Sequence, residues 1–186
     1  MEKISREPGT VLSQLPAVMV SCTDANGRPN IITLAWAGVL CSDPPMVGLG
    51  IRPSRYSHGI IAKTGEFVVN LPSRKEFDAT DFCGVHSGRE VDKFAATGLT
   101  PVKGELVQAP LIQECPVNLE CKVRQIINLG SHDLFIGEVV RVHAPEGDLA
   151  EILVDGFAYG NGRYYSLGEI IGYYGCARSK FSGAAR

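Results

Sequence analysis

Asn30-Ile-Ile-Thr-Leu-Ala-Trp-Ala-Gly-Val-Leu-Cys-Ser-Asp-Pro-Pro-Met-Val-Gly-Leu-Gly-Ile-Arg-Pro-Ser-Arg-Tyr-Ser-His58 is the stretch whose reading decides the fold. An apolar run from Ile31 to Leu40 ends in a turn at Asp43-Pro44-Pro45. A second apolar run, Met46 to Ile51, then delivers Arg52, Ser54, Arg55 and Ser57 in close succession. Two buried strands thus hand the chain to a loop of cations and hydroxyls. The planar guanidinium fork matches a phosphate, and serine hydroxyls add short donors beside it. Tyr56 to Lys63 can open a helix whose free N–H groups favour an anion. The loop is either the cradle of a cofactor phosphate or a solvated turn with surface arginines, and taken alone it does not decide between them. Gly48 and Gly50 alternate with Val47, Leu49 and Ile51, leaving one face bare for a ligand or another chain to approach.

Outward from this stretch, β signals dominate. Ala17 to Thr23 is rich in β-formers, and Asn26-Gly27 is a hairpin turn because both residues tolerate positive φ. Pro29 to Trp36 returns as the second strand, and Met46 to Ile51 is the third. Arg55 to Lys63 reads as a short helix closed by Thr64-Gly65. Glu66 to Leu71 is a fourth strand, stopped by Pro72. Arg74 to Cys83 reads as helical, and the polar stretch from His86 becomes semi-helical toward Ala96. Thr97 to Leu111 is a loop punctuated by Gly and Pro. Val117 to Ile127 alternates apolar and polar residues, a strand with one wet face, and Leu134 to Val142 is its partner. Tyr159 to Gly168 carries Gly-Asn-Gly and Arg163-Tyr164-Tyr165, and the tail from Ser179 reads as disordered. Strands come in hairpins rather than alternating with helices. The expectation is a mainly β (α+β) antiparallel barrel with short peripheral helices, in one domain over residues 1–186 with its core at about 10–175.

Composition narrows the function. The 186 residues are 45% hydrophobic and 20% charged, with a formal net charge of −2. No general basic surface is present, so nucleic acid and anionic membrane are not expected partners. No apolar stretch reaches the length of a membrane helix, and the charged start Met1 to Pro8 has no signal core, which places the protein in the cytoplasm. The six cysteines form no Cys-x-x-Cys and no zinc spacing with histidine. Most are expected as buried free thiols of a reducing compartment, with Cys83 and Cys176 in Gly-rich sequence as the candidates for reactivity. There is no Gly-x-Gly-x-x-Gly after the first strand, no Walker loop and no Gly-x-Ser-x-Gly elbow.

The motifs in order are Asp24…Asn26-Gly27, Pro29-Asn30-x-x-Thr33-x-Ala35-Trp36, Asp43-Pro44-Pro45 and Ile51-Arg52-Pro53-Ser54-Arg55-Tyr56-Ser57. Gly65-Glu66-Phe67-x-Val69-Asn70-Leu71, Asp92-Lys93-Phe94, Glu120-Cys121 and His132-x-Leu134-Phe135-Ile136-Gly137-Glu138-Val139 follow. This series resembles the flavin reductase-like family, and within it the flavoredoxin branch, over roughly residues 10 to 175. The resemblance implies a six-stranded Greek-key split β-barrel that binds FMN, and a homodimer with the flavin near the subunit interface. It implies FMN contacts from Asn30, Thr33, Leu34, Ala35, Trp36 and Ala37, and from Arg52, Pro53, Ser54, Tyr56 and Ser57. Arg52, Ser54 and Ser57 would hold the phosphate. Lys93 is a candidate cation for the reduced ring, the phosphate or the ribityl chain, against a solvated helix charge. His132 is the candidate catalytic residue near flavin or nicotinamide, against a surface histidine. Trp36 either covers the flavin or fills the core. Tyr173 lies near the flavin pocket in relatives, against a packing role, and His58 is taken as an ordinary helix-start residue. The implied activity is transfer of hydride or electrons, from NAD(P)H or a redox protein, through FMN. The alternatives are an FMN electron carrier without nicotinamide turnover, and a non-redox barrel that binds proteins.

Overall fold

Turn chemistry sets the order of the elements. In the computed structural model, which describes residues 3–174 and 176, β1 (Leu15–Pro16) and β2 (Val18–Thr23) lead through Asn26-Gly27 into β3 (Pro29–Leu34). Asp24 fixes that turn by accepting the amides of Asn26 and Arg28, each at 2.9 Å. Then come β4 (Ala37–Ser42), β5 (Pro45–Ile51), α1 (Tyr56–Thr64) and β6 (Glu66–Leu71). Gly65 ends α1 in the left-handed region at φ 72°, as the sequence predicts. After a 3₁₀ turn at Arg74–Glu76 the chain forms α2 (Phe77–Val85), α3 (Lys93–Thr97) and the two-residue strands β7 (Pro101–Val102) and β8 (Leu111–Ile112). β9 (Val117–Asn128), β10 (Asp133–His143), α4 (Leu149–Ile152), β11 (Phe157–Gly160) and β12 (Arg163–Ser166) complete it.

The main sheet is mainly antiparallel as expected, but it has seven strands, in the order β3-β2-β6-β9-β10-β5-β4. The apolar run after Asn30 is the reason. It does not continue as one strand through Trp36: it breaks at Ala35-Trp36 and resumes as β4, with Ala37 opposite Leu49. The sheet's two edge strands are therefore consecutive in the chain. β3 and β4 are not paired, which leaves a seam between them, and Gly50 N donates to Trp36 O at 2.8 Å beside it, extending the β4–β5 pairing into the break. This is the split of the split barrel.

β2 and β3 are buried on both faces, which is why they read as near-continuous apolar runs rather than alternating ones. Val18, Val20, Cys22, Ile32 and Leu34 join Leu49, Ile51, Phe67 and Phe135 inside the barrel. Met19 and Ile31 point outward under the helical layer, against Cys83, Phe94, Leu99 and Ile112. The bare face of β5 is covered by the chain itself. A Cβ on Gly48 would meet Leu40 at 2.7 Å, and one on Gly50 would meet Trp36 at 3.3 Å.

Buried polar groups tie the long 97–111 connection down. Asn70 Nδ2 donates to Met19 O and Ser21 Oγ, while its Oδ1 accepts from Ile112 N and Asn118 Nδ2. Glu120, fully buried, accepts the amides of Glu105, Leu106 and Val107. The Gly-Asn-Gly signal proves to be the β11–β12 turn, with Asn161 at φ 51° and Gly162 at φ 75°. This hairpin is held to α2 by Phe77 against Phe157 and Tyr164, and by Tyr164 Oη donating to Asp81 at 3.0 Å. The tail from Ser179 lies outside the described residues.

Candidate functional site

The seam and the Arg52–Ser57 loop lie side by side and open one continuous groove. Its first part, about 440 Å³, is lined by Thr33, Leu34, Ala35, Trp36, Arg52 and His132, and by the β11–β12 turn. Its second part, about 570 Å³, is lined by Asn30, Ser54, Tyr56, Ser57, Arg89 and Lys93. Ile32, Arg52 and Arg55 line both. The volumes are those of small-molecule sites.

The second part is built for an anion. Arg52, Arg55, Arg89 and Lys93 line it against one acid, Glu90. Its floor is preorganised: buried Asn30 donates through Nδ2 to buried Ser57 Oγ at 2.8 Å. Lys93 is only 4% exposed, which excludes a solvated helix charge. Its ammonium donates to Ile31 O at 2.7 Å and Cys83 O at 2.8 Å, and one of its three N–H donors remains for a ligand. Burial pulls the Lys93 ammonium below its ordinary value. The 86–90 loop closes this end only because Gly88 has no Cβ, which would collide with Asn30 Oδ1 and Tyr56. Cys83 is buried, and burial pushes its thiol up to about 11, the opposite of a reactive thiolate. Cys176 is exposed.

The first part is a slot for something flat. Thr33 turns its hydroxyl away to Thr80 O at 2.5 Å. Trp36 is 41% exposed and so does not fill the core. It packs on His132, ring centroids 4.1 Å apart and planes tilted by 41°. Burial first, and then the Arg52 charge, lower the His132 pKa. The ring is therefore neutral at neutral pH, with one donor and one acceptor. His58 does more than start a helix: its Nε2 lies 2.7 Å from Asp133 Oδ2. That bond ties the residue after Ser57 to the residue after His132.

Of the expected site residues, the groove gathers Asn30, Thr33, Leu34, Ala35, Trp36, Arg52, Ser54, Tyr56, Ser57, Lys93 and His132. Three are not brought there. Ala37 packs toward the barrel core opposite Leu49. Pro53 is exposed and lines neither part, since it only shapes the loop. Tyr173 is 78% exposed and lines neither part, because the chain after β12 runs along the outside. Sequence reasoning missed Arg89 and the loop around it, although His86-Ser87-Gly88-Arg89 repeats the hydroxyl-and-cation composition of Arg52–Ser57. It also missed the Tyr159–Gly162 wall.

A split barrel with an anion-binding end and a flat, aromatic-walled slot defines a class of protein that holds a planar ring joined to a phosphate. The chain belongs to the flavin reductase-like family, whose model, described as "Flavin reductase like domain", matches residues 13–168. It is similar to the flavoredoxin of Desulfovibrio vulgaris (Miyazaki F), at 34% identity and a TM-score of 0.87, covering 95% of this chain and 100% of that one. It is similar to an FMN-binding protein from Thermus thermophilus solved with bound 1-cyclohex-2-enone, at 29% identity and a TM-score of 0.77, covering 93% and 98%. Over 136 residues it is 28% identical to the NADH:riboflavin 5′-phosphate oxidoreductase of Streptomyces pristinaespiralis, 73% of each chain. The matched stretch spans 67% of an Archaeoglobus fulgidus relative and 63% of one from Pyrococcus abyssi. Among the described residues, no helix is long and apolar enough to cross a membrane.

Proposed function

We propose that this flavin reductase-like protein binds FMN in the groove and uses it as an oxidoreductase that accepts hydride from NAD(P)H. The observation that carries this reading is the continuity of the groove: the phosphate end and the ring slot share Ile32, Arg52 and Arg55. The residues fit the cofactor. Arg52, Ser54 and Ser57 take the phosphate, with Arg89 and Lys93 completing the charge. Asn30 fixes Ser57, and the backbone from Thr33 to Trp36 runs along the ring. FMN supplies the redox chemistry, and the protein orients it and limits access to it. His132 and Trp36 form the wall beside the open face. Neutral His132 offers a hydrogen bond to an incoming nicotinamide carboxamide without repelling its positively charged product.

The protein acts as a homodimer in this reading, through the exposed apolar face of β4, where Val39 is 81% exposed. A second reading is an electron carrier of the flavoredoxin kind, reduced by a redox protein. It is favoured by the higher identity to the Desulfovibrio flavoredoxin, 34% against 28% for the Streptomyces enzyme. The test is a visible spectrum of the purified protein followed by anaerobic NADH and then NADPH. A yellow protein that bleaches is the expected result. One that stays yellow establishes the carrier. A colourless protein that ignores added FMN leaves only a binding barrel.

A further inference from the structure

His132 stands beside the ring slot, yet it belongs to a turn that the sheet does not hold. β9 ends at Asn128 and β10 begins at Asp133, and pairing with β5 starts only there, with Asp133 opposite Ile51. The bonds of the turn are internal. Leu129 N donates to His132 O at 3.0 Å, Gly130 N donates to Asn128 Oδ1 at 3.3 Å, and Ser131 Oγ lies 2.9 Å from His132 Nδ1. Such bonds fix the shape of a turn but not its placement over the groove.

One side-chain bond reaches out of it. Asp133 Oδ1 accepts from Asn128 Nδ2 at 2.8 Å, while Oδ2 lies 2.7 Å from Nε2 of His58, 75 positions away in the first turn of α1. The His58 ring also stands edge-on to buried Phe135, with centroids 5.0 Å apart and planes at 86°. Successive residues of a strand point to opposite faces. Asp133 and Phe135 therefore share a face of β10, and His58 docks on both. The same alternation turns His132 to the other face, where Trp36 packs on it. Holding both oxygens of Asp133 thus sets the backbone that carries His132. The far end of the bond is itself anchored: His58 N donates to Arg55 O at 3.0 Å, and the neighbouring Ser57 is buried. His58 lines neither part of the groove.

We infer that His58 and Asp133 are positioning residues for His132: they lock the β9–β10 turn to the start of α1, so that the imidazole stands against Trp36 beside the ring slot. The inference rests on the flavin reading above and adds to it two residues that touch no ligand. A group misplaced by about 1 Å can cost a reaction about two orders of magnitude in rate. The latch therefore acts on reduction of the flavin and not on its binding.

The test compares His58→Gln with His58→Asn. The glutamine amide N–H reaches where Nε2 stands, and the asparagine amide is one methylene too short. The first readout is the acid quenching of Trp36 emission in flavin-free protein, with His132→Ala marking the part that belongs to His132. His58→Asn is expected to lose most of that part and His58→Gln to keep it. The second readout is the FMN-loaded protein at saturating NADH. There His58→Asn is expected to slow reduction about tenfold and His58→Gln less than about twofold, with FMN affinity within about twofold of wild type in both. Equal quenching in the two variants overturns the inference, and so does a lost quenching that leaves the reduction rate unchanged. Wild-type FMN that neither NADH nor NADPH bleaches overturns the oxidoreductase reading instead, and the quenching comparison, made without flavin, still decides whether His58 holds His132.

Discussion

Arg52 stands where the two parts of the groove meet, and its guanidinium carries the phosphate assignment. Arg52→Ala is expected to weaken FMN binding by about 1.5–3 kcal/mol, the worth of a hydrogen bond to a charged group; an unchanged affinity by titration would remove it from the site. His132→Ala is expected to retain FMN and slow its reduction by nicotinamide, which stopped-flow bleaching measures. Trp36 supplies an independent reporter, because it is the chain's one tryptophan and sits on the His132 ring. A protonated imidazole quenches a neighbouring indole. Since burial and Arg52 lower the His132 pKa, the quenching is expected only as the pH falls below the usual histidine midpoint of about 6.5. A midpoint at or above that value would contradict the packing described. At this scale the sequence showed residue types but not directions. Lys93 reads equally as a site cation and as a solvated helix charge until α3 turns it under β3, and Tyr173 looks like a site residue until the chain beyond β12 carries it outside.

Between elements, the coupling that matters joins α1 to β10. His58 and Asp133 are about equally shielded, at 15% and 14% side-chain exposure, and Asn128 Nδ2 holds the other Asp133 oxygen at 2.8 Å. These hydrogen bonds, His58 first, hold the Asp133 carboxyl below its ordinary value. A carboxylate with a lowered native pKa stabilises the fold above its unfolded pKa, and that contribution is lost as the pH falls through the native value. Wild type is therefore expected to lose more melting temperature than Asp133→Asn between about pH 6 and about pH 3; equal losses would mean the pair contributes nothing. Glu120 pins the 97–111 connection in the same manner. Burial pushes its carboxyl up, but His143 Nε2 at 2.6 Å and three backbone amides outweigh this and hold it below its ordinary value. Glu120→Ala strands those donors and is expected to cost about 3–5 kcal/mol, read from the denaturant midpoint. The β9–β10 pair and the α1 helix were legible in advance, because alternation and a terminal glycine are local signals. The break at Ala35-Trp36 was not. Nothing in an apolar run says where one strand must end and the next begin, and the break is fixed only when the chain after it folds back on β5 as a hairpin.

For the whole molecule, the unburied apolar face of β4 and β5 is the feature that a single chain leaves unexplained. Val39, Pro45, Met46, Val47, Leu119, Val139 and Val142 line one shallow apolar depression, and Val39 and Val142 are exposed within it. A contiguous patch of this kind marks an interaction surface. A second copy suits it because a two-fold contact is self-complementary, each subunit offering the same patch. The patch also begins next to the groove: Trp36 faces the ring slot and Val39, three residues on, faces outward. A partner packed on β4 would therefore brace the seam. Light scattering of the wild type is expected to give a dimer, and Val39→Glu a monomer with an unchanged circular dichroism spectrum, since Val39 is 81% exposed in its own chain and a charge there stays in water. FMN affinity is expected to fall with dissociation, in wild type on dilution and in Val39→Glu at every concentration. A wild type that scatters as a monomer would end the homodimer proposal. A monomeric Val39→Glu with full FMN affinity would keep the dimer but show that each subunit's groove is complete on its own.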